Sequence, residues 1–96
     1  MHITLSPQRR QGALSVSKQG DTLTINGDEF DFANLPDGAT LPAGAVDCLH
    51  IIGPVERING VLHITLLLPH GADASEAARF PAPIINPPDG PLELPK

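Results

Sequence analysis

Two Asn-Gly dipeptides, Asn26-Gly27 and Asn59-Gly60, each sit at the centre of an alternating apolar/polar run. A type I′ turn requires positive φ at both central residues, which Asn and Gly tolerate at the least cost. Asn-Gly between alternating runs is therefore the strongest short-range hairpin signal. Two of them in 96 residues commit the chain to antiparallel β structure. Neither carries any chemistry.

Around the first turn, strands are expected over 13–17, 21–25 and 28–32. If Gln19-Gly20 and Asn26-Gly27 are both two-residue loops, Leu14 pairs with Ile25, Val16 with Leu23, and Leu23 with Phe30. Ser15, Ser17, Thr22, Thr24, Glu29 and Asp31 then share the opposite face, and a one-residue slip would scramble both surfaces. A short strand over 2–5, closed by Ser6-Pro7, precedes this meander. Residues 33–47, punctuated by Pro36-Asp37-Gly38 and Pro42-Ala43-Gly44, read as a long connection that packs across one end of the sheet or forms an Ω-loop.

The second hairpin spans about 48–68 and sets Arg57 opposite Leu62, Glu56 opposite His63 and Val55 opposite Ile64. Leu62, Ile64, Leu66 and Leu68 share a face with Val55. The nearly continuous apolar run 64–68 predicts a central strand covered on both sides, ended by Pro69. Pro54 falls opposite Thr65 at a hydrogen-bonding position without an N–H to give, which predicts a bulge, break or edge at Gly53-Pro54. Asp73 or Ser75 could cap a helical turn over 76–79. Residues 80–96 hold six of the eleven prolines, so any strands there lie at an edge or run as polyproline II. The expectation is an all-β, mainly antiparallel fold: a small sheet, sandwich or roll of about six to eight short strands. Residues 1–85 form one β domain, and 86–96 a Pro-rich segment that is an edge strand or partly disordered.

Composition narrows the function. Net charge is −5, Phe30, Phe32 and Phe80 are the only aromatics, and the six basic residues are scattered apart from Arg9-Arg10. A nucleic-acid surface needs a basic stripe, often with stacking aromatics, and neither is present. Sugar sites built on Trp or Tyr are disfavoured for the same reason. The start has no apolar h-region, and no stretch approaches the ~20 apolar residues of a membrane span. A soluble protein made in the cytoplasm is expected. Cys48 is alone and reads as a small buried hydrophobe, since a nucleophilic role would need a His base and an activating environment.

No constellation of residues carries chemistry. His2, His50, His63 and His70 lack metal-ligand spacing, so no metal, cofactor or catalytic residue is expected. His63 reads as the cross-strand partner of Glu56. His70 reads as a solvated loop residue, and Asp28, Glu29 and Asp31 as solvated charge. Arg9-Arg10 reads as decoration of an exposed loop, with contact to a phosphate or an acidic partner as the alternative. One surface stands out. The face opposite Leu62 and Ile64 presents Ile58, Val61 and Leu67 around Glu56 and His63, a candidate protein-interaction patch. The expected arrangement has Ile84, Ile85, Leu92 and Leu94 folding back over it, because they also need burial. If the face is open, it is where a partner binds or the chain self-associates.

Several segments carry a resemblance: Ile3-Thr4-Leu5-Ser6-Pro7; Asp21-Thr22-Leu23-Thr24-Ile25-Asn26-Gly27 with Phe30-Asp31-Phe32; Leu35-Pro36; Gly38-Ala39-Thr40-Leu41-Pro42; Gly53-Pro54-Val55-Glu56-Arg57; Leu67-Leu68-Pro69-His70-Gly71-Ala72; and Arg79-Phe80-Pro81. Over most of its length the chain resembles a family of small proteins encoded by prophages and tailed phages of proteobacteria, companions of tail genes. The resemblance implies a non-enzymatic accessory or assembly role in the virion or its tail, exercised by protein–protein binding, with a phage tail protein as partner and the virion as a second location. The alternative is a soluble modulator of a host protein during lysogeny or lysis. A small metal-dependent enzyme ranks last.

Overall fold

The structure, a computed structural model, describes residues 1–42, 44–72 and 75–94. They form nine strands and one helical turn. The strands are β1 (His2–Arg9), β2 (Val16–Gln19), β3 (Thr22–Ile25), β4 (Asp28–Asp31), β5 (Thr40–Leu41), β6 (Val55–Ile58), β7 (Val61–His70), β8 (Ile84–Ile85) and β9 (Gly90–Pro91), and α1 (Glu76–Arg79) follows β7. One sheet has the order β5-β6-β7-β1-β8 and the other β4-β3-β2-β9. The fold is all-β, and every strand pair is antiparallel except β1–β7.

Both Asn-Gly turns form as the sequence requires, with φ of 50° and 88° at Asn26 and Gly27, and 51° and 79° at Asn59 and Gly60. The β3–β4 register follows, with Leu23 beside Phe30. The β2–β3 register differs from expectation: Val16 pairs with Ile25 and Gln19 with Thr22, so the loop is Gly20-Asp21 rather than Gln19-Gly20. Gly20 takes φ of 59°, as a type II′ turn needs at its first central residue. The shift is two residues, one full side-chain period, so Val16, Leu23 and Ile25 still face the core.

Asn26 does more than turn the chain. Its Oδ1 accepts from the Ser15 N–H (2.7 Å), and its Nδ2 donates to the Ala13 carbonyl (3.1 Å). The side chain thus prolongs the ladder beyond the last backbone pair.

Proline closes neither β1 nor β7, contrary to expectation. In the parallel pair, the Arg10 N–H donates to the His70 carbonyl at 3.2 Å, and ladder bonds recur at every second residue. Pro7 therefore turns its missing N–H away from β7. Pro69 turns its own away from β1, past the end of β6, and the ladder runs on to Arg9–His70. At Gly53-Pro54 the ladder breaks as expected. Three residues, Ile52, Gly53 and Pro54, oppose Thr65 between the Val55 and Ile51 positions, and the Ile52 N–H reaches the Thr65 carbonyl (3.3 Å) in place of the donor Pro54 lacks.

The two sheets share one aliphatic core that includes Ile3, Leu5, Leu62, Ile64, Leu66 and Leu68 from the first and Val16, Leu23 and Ile25 from the second. Arg57 closes one end of it. Its side chain is 12% exposed and reaches across to the second sheet and the connection beyond it. There it donates to the Leu35 carbonyl (2.6 Å), the Phe32 carbonyl (2.9 Å) and the Asp21 carboxylate (3.1 Å). The Pro-rich end ties both sheets: β8 lines the edge of β1, and β9 the edge of β2, where Asp89 accepts from Lys18 Nζ (2.8 Å) and the Gly20 N–H (3.0 Å). Ser75 caps α1, accepting from the Ala78 N–H. Asp73, the other candidate cap, and Pro95-Lys96 lie outside the described residues.

Candidate protein-binding face

The outer face of the five-stranded sheet carries the candidate residues, and the registers order them. One row crosses all five strands as Thr40, Glu56, His63, His2 and Ile85. The rows on either side are Ile58–Val61, and Thr4–Thr65. Alternation sends Ile3, Val55, Ile64 and Leu66 to the core and leaves this set outside. Glu56, Val61, His63 and His2 are half-buried, while Ile58 is 46% and Ile85 61% exposed.

Four of the five candidate residues are brought together at this surface, and Leu67 is not available on it. Leu67 and Ala78 are both buried yet stand outside the central core cluster. The helical turn α1 packs on β1 and β7, and both its Ala78 and the outward-facing Leu67 are buried. The expected cover was the last stretch of chain. Ile84, Leu92 and Leu94 pack instead against the core between the sheets, and Ile85 stays exposed. Beyond α1, Phe80 is 75% exposed, with Arg79 Cζ 6.0 Å from its ring centre.

Glu56 and His63 stand opposite each other but are joined by no hydrogen bond or ion pair among the described residues. His63 stacks on His2 instead, with ring centres 5.0 Å apart and planes 27° from parallel. Nothing local in the sequence pairs these two histidines, because the signal lies in the parallel β1–β7 contact between segments about 60 residues apart. Among the described residues, no group of three or more His, Cys, Asp and Glu side chains is disposed to hold a metal ion.

The remaining candidates are dispersed. His50 sits beyond the bulge, with its Nε2 3.4 Å from Asn26 Nδ2. Cys48 is half-buried against the core. His70 is the last residue of β7 rather than part of a loop, its ring nitrogen 3.0 Å from the Gly71 carbonyl. Asp28, Glu29 and Asp31 are exposed along β4. Asp89 is held below the usual aspartate range, chiefly by the Lys18 hydrogen bond and then by the Gly20 N–H. Among the described residues, no helix is long and apolar enough to cross a membrane. No protein-family model matches the chain, and no match was found among curated proteins or solved structures.

Proposed function

We propose that this protein is non-enzymatic and acts by binding another protein through the outer face of its five-stranded sheet. One observation carries the reading. The half-exposed Ile58 and Val61, and the exposed Ile85, border a row of half-buried polar side chains, Glu56, His63 and His2, that make no ion pair among the described residues. Apolar area with polar groups interspersed is the make-up of transient interfaces. The resemblance to tail-gene companions supports a phage tail protein as partner, with a role in tail assembly or as a virion accessory in the bacterial cytoplasm. A host protein is the second reading, supported by small size and net charge of −5.

Mass spectrometry of purified virions, combined with affinity capture from an induced lysogen, tests this. Recovery with tail proteins is expected. Absence from virions and tail intermediates, with capture of a host protein, favours the second reading.

A further inference from the structure

The two Asn-Gly turns share a sequence and a conformation but not their surroundings. Asn26 and Asn59 are both exposed, with φ of 50° and 51°. Asn26 is tied down: its Oδ1 accepts from the Ser15 N–H, and its Nδ2 donates to the Ala13 carbonyl and lies 3.4 Å from His50 Nε2. The Asn59 carboxamide makes no hydrogen bond among the described residues. The nitrogen that follows differs in the opposite sense. The Gly60 N–H donates to Asp37 Oδ1 at 2.9 Å, whereas no side chain accepts from the Gly27 N–H among the described residues. Backbone bonds place Asp37 there. The Gly38 N–H donates to the Arg57 carbonyl (2.7 Å) and the Arg57 N–H to the Ala39 carbonyl (3.1 Å), which fastens this loop along β6 just before the turn.

A glycine after asparagine leaves its own nitrogen open to approach, since it has no Cβ to obstruct the side chain. We propose that Asn59 is a site of self-directed deamidation, with Asp37 as the general base, and that Asn26 is protected from the same reaction. Gly60 N attacks Asn59 Cγ, and its proton passes to Asp37 Oδ1 as the N–Cγ bond forms. The carboxylate is already within the hydrogen-bond reach that a base requires. The tetrahedral intermediate takes that proton back on the side-chain nitrogen and expels ammonia, leaving a five-membered succinimide. Water then opens the ring. Attack at Cγ breaks its bond to Gly60 N and leaves aspartate, and attack at the backbone carbonyl carbon leaves an isoaspartyl linkage. One water enters, one ammonia leaves, and Asp37 is restored.

Each turn must open before Cγ can meet the next nitrogen, and at Asn26 that opening also breaks the bonds to Ser15 and Ala13. The two remaining asparagines have no such nucleophile: Asn86 precedes Pro87, which has no N–H, and the Leu35 N–H after Asn34 is taken by the Phe32 carbonyl at 3.1 Å. The isoaspartyl product lengthens the turn by one backbone atom and adds a negative charge beside the Ile58–Val61 pair. It should therefore bind a partner of the outer face less well. That consequence rests on the function proposed above, whereas the reaction itself does not.

Incubation of the intact protein at neutral pH in water labelled with heavy oxygen, followed by peptide mass spectrometry, tests the reaction without any partner. Asn59 should take up label at least about tenfold faster than Asn26, the worth of the hydrogen bonds that hold Asn26. In urea the two sites should react at similar rates. Asp37→Ser, which keeps an acceptor but removes the carboxylate, should slow Asn59 by about tenfold or more. Its rate should then fall in proportion to hydroxide at mildly acid pH, and the parent's less steeply. Should that variant fail to fold, the parent's pH profiles at Asn59 and Asn26 carry the same comparison. The proposal is overturned if Asn59 is stable in the folded protein while the urea-unfolded chain deamidates. It is also overturned if both sites react equally in the folded protein, or if Asp37→Ser leaves the Asn59 rate unchanged or raises it.

Discussion

Removing the Arg57 guanidinium should destabilise the protein more than any single surface change, because that one group joins the two sheets. It makes hydrogen bonds of 2.6 and 2.9 Å to backbone carbonyls at the end of the second sheet and its following loop, one of 3.1 Å to Asp21, and a longer one of 3.4 Å to the Gly60 carbonyl of its own hairpin. Hydrogen bonds to a charged group contribute roughly 1.5–3 kcal/mol each when buried. The site is at the rim, where water can reach part of what is exposed, so the loss for Arg57→Met is about 3 kcal/mol in total. Asp21 is 41% exposed, so screening limits Asp21→Asn to under about 1 kcal/mol. Arg57→Lys keeps the charge but loses the planar fork and should cost about 2 kcal/mol. Urea unfolding followed by far-ultraviolet circular dichroism gives these values as shifts in midpoint at constant slope. In a domain this small, 3 kcal/mol corresponds to roughly 12–24 °C in Tm. Arg57→Met within 0.5 kcal/mol of the parent, to about the precision of the method, would refute the clamp. Equal losses for Arg57→Met and Asp21→Asn would move the stabilisation from the carbonyl contacts to the ion pair.

The two Asn-Gly turns should respond unequally to substitution. Asn59→Ala carries the strain of a positive φ, about 1 kcal/mol, whereas Asn26→Ala also loses two side-chain bonds to Ala13 and Ser15 and should cost about 2 kcal/mol by the same unfolding assay. Leu67→Ala should cost about 2–3 kcal/mol and Ile58→Ala less than about 0.5, since Leu67 is buried and Ile58 is 46% exposed. The Asp89 carboxyl is lowered by Lys18 and Gly20, so its contribution is present above the ordinary aspartate value and is lost as pH falls through the lowered one. Acid titration below about pH 4 should therefore show a shallower loss of stability in Asp89→Asn than in the parent.

How much of this could be read in the sequence depends on the range of the interaction. Asn26-Gly27 and Asn59-Gly60 fixed two hairpins because turn conformation and apolar alternation are local and agree. Pro54 announced its bulge, since a missing N–H at a known ladder position has to be accommodated. The Gly20-Asp21 loop is not legible locally, because a two-residue shift preserves the alternation that specifies the register. Pro7 and Pro69 look locally like strand ends, but a proline interrupts a ladder only on the side its nitrogen faces, and that side depends on a partner far away in the chain. The β1–β7 pair, and with it the His2–His63 stack, joins segments about 60 residues apart and leaves no local trace. Arg57 did leave one: a cation alternating with Val55 on the core face had to find acceptors there.

The central claim is that the outer face binds a partner without holding the fold together. Val61→Glu tests it most directly, introduced into a lysogen that carries the gene and followed by quantitative mass spectrometry of purified particles and tail intermediates. The expected result is an unchanged urea midpoint for the purified variant and loss of the protein from assemblies that retain the parent. An unfolded variant, or one recovered with tail proteins at the parental level, would contradict the claim.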